Sequence, residues 1–288
     1  MSEENDFGTL RSVLASPTTD AASFDSVVRH LINWSWHDDP RIFERWLGYA
    51  QAHLERWPDE ARCLRVWPKD EIFLRDVDAW SSLFRAVSIT SADGFFGRFV
   101  EMAGEGHFSS VRYLKLRDLD ADSSDMEAVS SALADVEGLE FELKGPSEGR
   151  AGNGFESAGA WPRLRWLDLK GTHISDQNFA AFVAAAPNLE VFAPTTFGIS
   201  ASHAQILVDT GALGRLRALD VGSPHTGAMD VLLDAGEEVH DLTVHVAFLN
   251  QRLDASTRRR IVERGWTLAD DQAWRALWRE QTKGVFGW

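Results

Sequence analysis

Residues 161 to 192, WPRLRWLDLKGTHISDQNFAAFVAAAPNLEVF, hold a phrase that recurs with variation along most of the chain: Leu-x-x-Leu-x-Leu, an amphipathic stretch, then a fresh Leu-x-x-Phe. Taking positions 1, 4 and 6 as inward, the phrase aligns at Ala61/Leu64/Val66, Phe84/Val87/Ile89, Val111/Leu114/Leu116 and Val136/Leu139/Phe141. It continues at Leu164/Leu167/Leu169, Leu189/Phe192/Pro194, Leu216/Leu219/Val221 and Val239/Leu242/Val244. The starts are separated by steps of 23, 27, 25, 28, 25, 27 and 23 residues. Of the 24 template positions only Pro194 is not apolar, against an apolar background of 44%. A self-similar period of this size constrains architecture before any single residue does.

Positions 4 and 6 lie two apart on a short strand and share one face, while 3, 5 and 7 share the other. The returning segments read as helices: Met126, Val129 and Leu133; Phe179, Phe182 and Val183; Ala204, Leu207 and Val208; Val231 and Leu232. Ser124 with Glu127 spells a capping box, and Ser175 is placed to cap the helix that carries Phe179. A lone unit cannot bury its apolar face, so stability is expected only from the stack.

The stretch from Leu164 to Phe192 resembles the leucine-rich-repeat superfamily, in particular the strand-helix units of its ribonuclease-inhibitor-like and F-box-associated types. Thr172-His173-Ile174-Ser175-Asp176 stands where that family writes Thr-x-Ile-x-Asp, and Pro187-Asn188-Leu189 matches its lead into the next strand. The resemblance implies an α/β solenoid, a horseshoe with a parallel sheet on the concave face and helices on the convex face. It implies protein recognition and carries no catalytic residues. The expected organisation is a helical N-terminal cap over 1–60, about eight units over 61–268, and a C-terminal helical cap and tail over 269–288.

The N-terminal part reads as helices bearing Phe7, Leu10, Val13 and Leu14; Phe24, Val27, Val28, Leu31 and Ile32; and Ile42, Phe43, Trp46, Leu47 and Leu54. Pro17 and Pro40 punctuate them, and Trp34, Trp36, Trp46 and Trp57 are suited to seal the first sheet edge. An F-box-like reading fails because the Leu-Pro opening of that motif is missing. At the other end, Trp266 marks a last strand, and Trp274, Leu277 and Trp278 mark an amphipathic helix opening at Asp270 or Asp271. A tail with Phe286 and Trp288 either folds back or serves as a recognition peptide.

The 29 basic and 44 acidic residues give a net charge of −15, which disfavours phosphate-backbone binding and suits a basic or otherwise non-acidic protein partner. No nucleic acid and no membrane are expected. A lone cysteine, Cys63, excludes an intramolecular disulfide, and no run approaches the ~18 apolar residues of a membrane span. The chain therefore reads as cytoplasmic. Arginine and alanine outnumber lysine and asparagine, the usage of a GC-rich bacterial coding sequence.

The outward positions supply a candidate docking surface: Trp67, Tyr113, Lys115, Arg117, Glu140, Glu142, Trp166, Asp168, Lys170, Asp220, Asp241 and His245. Tyr113, Trp166 and Trp67 are the aromatic anchors that interfaces use, and the charges are polarised along the face. The alternative is that neighbouring charges, Lys115 with Glu140 or Arg117 with Glu142, pair across strands. Pro194 predicts a bulge or break in the sheet, and residues 144–160, rich in glycine and serine, predict a loop. Gly149, Gly152 and Gly154 lack the Gly-Lys-Ser/Thr ending of a phosphate loop.

For catalysis, Asp241, Thr243 and His245 share a strand face near Ser223 and His225, without a nucleophile elbow or oxyanion-hole phrase. No histidine or cysteine spacing suggests a metal, and no cofactor is indicated. The sequence thus leads to a protein-binding scaffold, not an enzyme, engaged through its concave face as an adaptor, inhibitor or immunity-type protein. The alternatives are a structural subunit of a larger assembly and a hydrolase near Ser223 and His245.

Overall fold

The computed structural model describes residues 3–33, 40–65, 81–90, 95–119, 123–143, 161–170, 174–194, 198–224, 227–235, 239–247 and 253–281. Three helices come first: α1 (Glu3–Leu14), α2 (Ala21–Asn33) and α3 (Pro40–Leu54). Then strands and helices follow: β1 (Cys63–Arg65), β2 (Ala86–Thr90), α4 (Phe95–Gly104), β3 (Tyr113–Leu119), α5 (Ser123–Ala132), β4 (Gly138–Leu143) and β5 (Trp166–Lys170). The series ends with α6 (Asp176–Ala185), β6 (Val191–Ala193), α7 (Ala201–Asp209), β7 (Ala218–Asp220), α8 (Ala228–Asp234), β8 (Thr243–His245), α9 (Ala255–Glu263), β9 (Thr267–Ala269) and α10 (Asp271–Gln281).

All nine strands form one parallel sheet in chain order, β1 to β9, with no reversal. The inward positions behave as their spacing dictates. Val87, Leu114, Leu139, Leu167, Phe192 and Leu219 occupy one register row and are all fully buried in the main core. The same core takes Leu10, Phe24, Val27, Leu31, Trp46 and Leu54 from the first three helices. Phe24 meets Phe84 edge-on at 5.6 Å, which joins α2 to the turn that leads into β2.

The opposite face is where the leucine-rich-repeat reading is overturned. A horseshoe leaves the face of positions 3 and 5 open to a partner, with regular short units around a curve. Here the row Cys63, Ala86, Tyr113, Trp166, Val191 and Ala218 is itself buried, and it belongs to a second apolar cluster with Ala269, Trp274 and Trp278. Helix α10 thus packs Trp274 and Trp278 on the face opposite the main core. Strands are unequal, from three residues in β1 to seven in β3. The architecture is a continuous, open parallel sheet flanked by helices, in layout more like Rossmann-type and α/β-hydrolase sheets than a horseshoe. The physical reason is that parallel sheets covered on both sides favour apolar residues on both faces, and the 1-4-6 pattern reports only one of them.

Two local expectations are also corrected. The sheet does not break at Pro194; β6 stops one residue earlier, and its ladder to β7 holds the two pairs Val191–Ala218 and Phe192–Leu219. The register irregularity lies instead between β3 and β4, at Arg117 to Leu119. Strand β8 is displaced by two residues from its sequence alignment, since Leu219 pairs with Val244 rather than Leu242. Leu242, Val244 and Val246 are all fully buried, so alternation with a period of two cannot sense that slip. Ser175 caps α6 as expected, its Oγ accepting from the Asn178 N–H at 3.2 Å. Trp34, Trp36, Trp67, His225, the 144–160 loop and the Phe286/Trp288 tail lie outside the described residues, as do the Ser124 and Glu127 side chains.

Candidate active site at the start of α7

After β6 the chain turns back against the exit of β7, where the Ile199 N–H donates to the Val221 carbonyl at 3.2 Å. Gly198 makes this approach possible: its φ is +102°, and a Cβ there would collide with the Ser223 carbonyl. The close contact delivers Ser200 in extended conformation as the N-cap of α7. Ser200 Oγ accepts from the His203 N–H at 3.1 Å, and His203 Nδ1 accepts from the Ser200 N–H at 3.5 Å, which completes a capping box. Helix α6 packs beside α7. α6 follows β5 and α7 follows β6 in the chain, so both N-termini lie on the carboxyl-end side of the sheet.

Asp176, the first residue of α6, reaches across to α7. Its Oδ1 accepts from Ser202 Oγ at 2.8 Å and lies 3.1 Å from His203 Nε2. Ser200 Oγ stands 2.8 Å from Ser202 Oγ, so two hydroxyls, one carboxylate and one imidazole are contiguous. The His203 ring is buried and lies flat on Phe179, with centroids 4.4 Å apart and planes at 9°. Ser202 and Asp176 are exposed. Since Nδ1 accepts from the backbone, the proton belongs on Nε2, and both imidazole and serine donate to the same carboxylate oxygen. In the familiar Ser-His-Asp order the imidazole is central; here the carboxylate is. Ahead of the first intrahelical bond, made by the Ala204 N–H, the amides of Ala201 and Ser202 point from the positive end of the helix.

This Ser/His/Asp cluster overturns the expectation of a non-catalytic scaffold, because its groups are those of acyl-transfer chemistry. The sequence reading missed Ser202 and His203 and met Asp176 only inside the Thr-x-Ile-x-Asp phrase. A usable signal was present: Asp176 and Ser202 are 26 residues apart, one repeat step, so aligning helix starts as well as strands would have juxtaposed them.

The residues read as a docking surface fall mostly into the interior. Tyr113 (1% exposed) stacks on Trp166 (4% exposed) at 5.7 Å with planes at 3°. Burial pushes the Tyr113 phenol well above its ordinary pKa. Lys115 and Glu140 are buried and paired at 2.6 Å, with the half-exposed Arg117 at 3.9 Å from the same carboxylate oxygen. Asp168 is buried in the next strand along. The side chains of Glu142 and Lys170, and all of Trp67, lie outside the described residues. Asp241 is exposed in the turn before β8 with φ +61°, off the sheet face where its spacing had put it.

The two-residue displacement of β8 has a chemical result. It brings His245, rather than Thr243, beside Asp220, with Nδ1 2.8 Å from Asp220 Oδ1 and Nε2 2.9 Å from Asp271 Oδ1 on α10. The ring is buried and stacks on Trp274 at 5.3 Å. Burial alone would lower the His245 pKa, yet the two carboxylates outweigh it and the net direction is upward. With both nitrogens facing carboxylates, His245 is not a base directed at Ser223, which corrects the location read for a hydrolase. Among the described residues no cluster of three or more histidine, cysteine or acidic side chains could hold a metal ion. Among them, too, no helix is long and apolar enough to cross a membrane. No protein family matches the chain, and no curated protein matches it either.

Proposed function

We propose that the protein is a hydrolase-type enzyme acting through Ser202, with Asp176 as base and His203 as positioning residue. The observation that carries this reading is the single oxygen, Asp176 Oδ1, that receives Ser202 Oγ at 2.8 Å and faces His203 Nε2 at 3.1 Å. As Ser202 Oγ attacks an ester or amide carbonyl carbon, its proton passes to Asp176, and the carbonyl oxygen gains negative charge near the amides of Ala201 and Ser202. Collapse expels the alcohol or amine, which takes the proton from Asp176. Water then attacks the acyl group on Ser202, loses its proton to Asp176, and releases the carboxylic acid as Ser202 regains a proton. His203 keeps the carboxylate aimed by donating to it.

The test is hydrolysis of a series of p-nitrophenyl esters. Turnover reduced ~10²-fold or more in Ser202→Ala and again in Asp176→Asn supports the proposal. Turnover that survives in Ser202→Ala, or is absent from the unmodified chain across the series, contradicts it.

A cytoplasmic setting belongs to the same proposal, supported by the lone Cys63. So does a protein partner, with neither nucleic acid nor membrane involved. Of the described surface candidates, the half-exposed Arg117 and the exposed Asp241 are the ones that reach the surface, whereas Asp220 is held against His245.

A further inference from the structure

At the other end of the strands from Ser202, the turns leading into β5, β6 and β7 enclose an open groove of about 600 Å³. That volume falls within the range of small-ligand sites, roughly 300–1,000 Å³. Its walls include Pro162, Arg163, Asn188 and Arg215, and Glu137, Arg165 and Glu190 approach from the strand entrances.

Arginines recur along this edge, and most are already occupied. Arg62 donates to the Leu83 carbonyl, Arg85 to three turn carbonyls, and Arg112 to the carbonyls of Ser109 and Val111. Arg165 forms a two-pronged fork with Glu190 at 2.9 and 2.8 Å. Arg163 and Arg215 differ. Arg163 meets Asp135 through Nε at 3.1 Å, and its side chain is more than half exposed. Arg215 donates one bond, at 3.3 Å, to the Gly211 carbonyl, and among the described residues no carboxylate lies within 4.0 Å of it. A guanidinium has five N–H donors in a planar fork that matches a carboxylate.

The acceptors in the groove narrow the class of ligand. Asn188 Nδ2 is committed to the Pro162 carbonyl at 2.7 Å, which leaves Oδ1 as the acceptor of this amide. Leu189 and the two prolines, Pro162 and Pro187, add apolar wall. The lining therefore offers cationic forks, amide and carboxylate acceptors, and an apolar surface within one groove.

We infer that this groove binds a peptide carboxyl terminus, its carboxylate held by Arg163 and Arg215 and its last amide N–H directed at Asn188 Oδ1. A polyanion is disfavoured because the chain carries a net −15, whereas one carboxylate beside N–H donors suits the mixed lining. The site lies apart from Ser202 and does not depend on catalysis there.

The experiment is an NMR titration of the full chain with the tetrapeptide Ala-Ala-Ala-Leu as free acid, with its carboxyl amide, with leucine and with inorganic phosphate. The free acid should shift the resonances of residues 187–190 and bind at least tenfold tighter than the amide. Arg163→Gln/Arg215→Gln should lose that tenfold preference with an unchanged circular dichroism spectrum, and Arg215→Gln alone should lose part of it. Equal binding of acid and amide, absence of binding, or equally tight binding by leucine or phosphate would overturn the inference.

Discussion

Lys115 and Glu140 illustrate how single side chains are committed inside this sheet. Their contact at 2.6 Å is buried on both sides, so each charge has exchanged water for its partner. Lys115→Met should therefore destabilise the fold by about 3–5 kcal/mol, because Glu140 would stay buried with only the more distant Arg117 nearby. Changing both residues to methionine should restore most of that loss, measured by urea unfolding. Trp166→Ala should cost a similar ~3–5 kcal/mol, since it empties the space against Tyr113. A loss below about 0.5 kcal/mol in Trp166→Ala would show that the ring is on a solvated face after all.

At the scale of elements, one imidazole adds a pH-dependent contact to the apolar packing that attaches α10. Neutral histidine can donate from only one nitrogen, yet Asp220 and Asp271 both accept from His245, so the contact selects the imidazolium. Among the described residues, the other groups packed on it are uncharged: β9 carries Thr267, Leu268 and Ala269, and Trp274 lies over the ring. Because the folded pKa is raised, the stabilisation is complete below the unfolded value near 6.5 and is lost as pH rises through the higher folded value. NMR should show the His245 ring titrating above an ordinary histidine, with the α10 resonances shifting in the same step. Asp271→Asn should move that step down. A step at or below the ordinary histidine value, or one unchanged in Asp271→Asn, would contradict the coupling.

For the molecule as a whole, the recurring apolar phrase made the parallel strands and their inward residues legible, while three other features were hidden. The second covered face was hidden because Tyr113 and Trp166 look alike whether they anchor a partner or fill a core. The displacement of β8 was hidden because Leu242, Val244 and Val246 satisfy the same alternation in either register. The Ser202 site was hidden because its groups come from two helix starts that only stacking brings together. That site also depends on the glycine contact between Gly198 and Ser223, which no apolar pattern encodes. The central claim is that this stacking arms Ser202 as a nucleophile. Its most direct measurement is mass spectrometry of the folded chain after exposure to a fluorophosphonate: the account predicts one adduct, mapped to Ser202 and lost in Asp176→Asn, and an unlabelled Ser202, or labelling indifferent to Asp176, would contradict it.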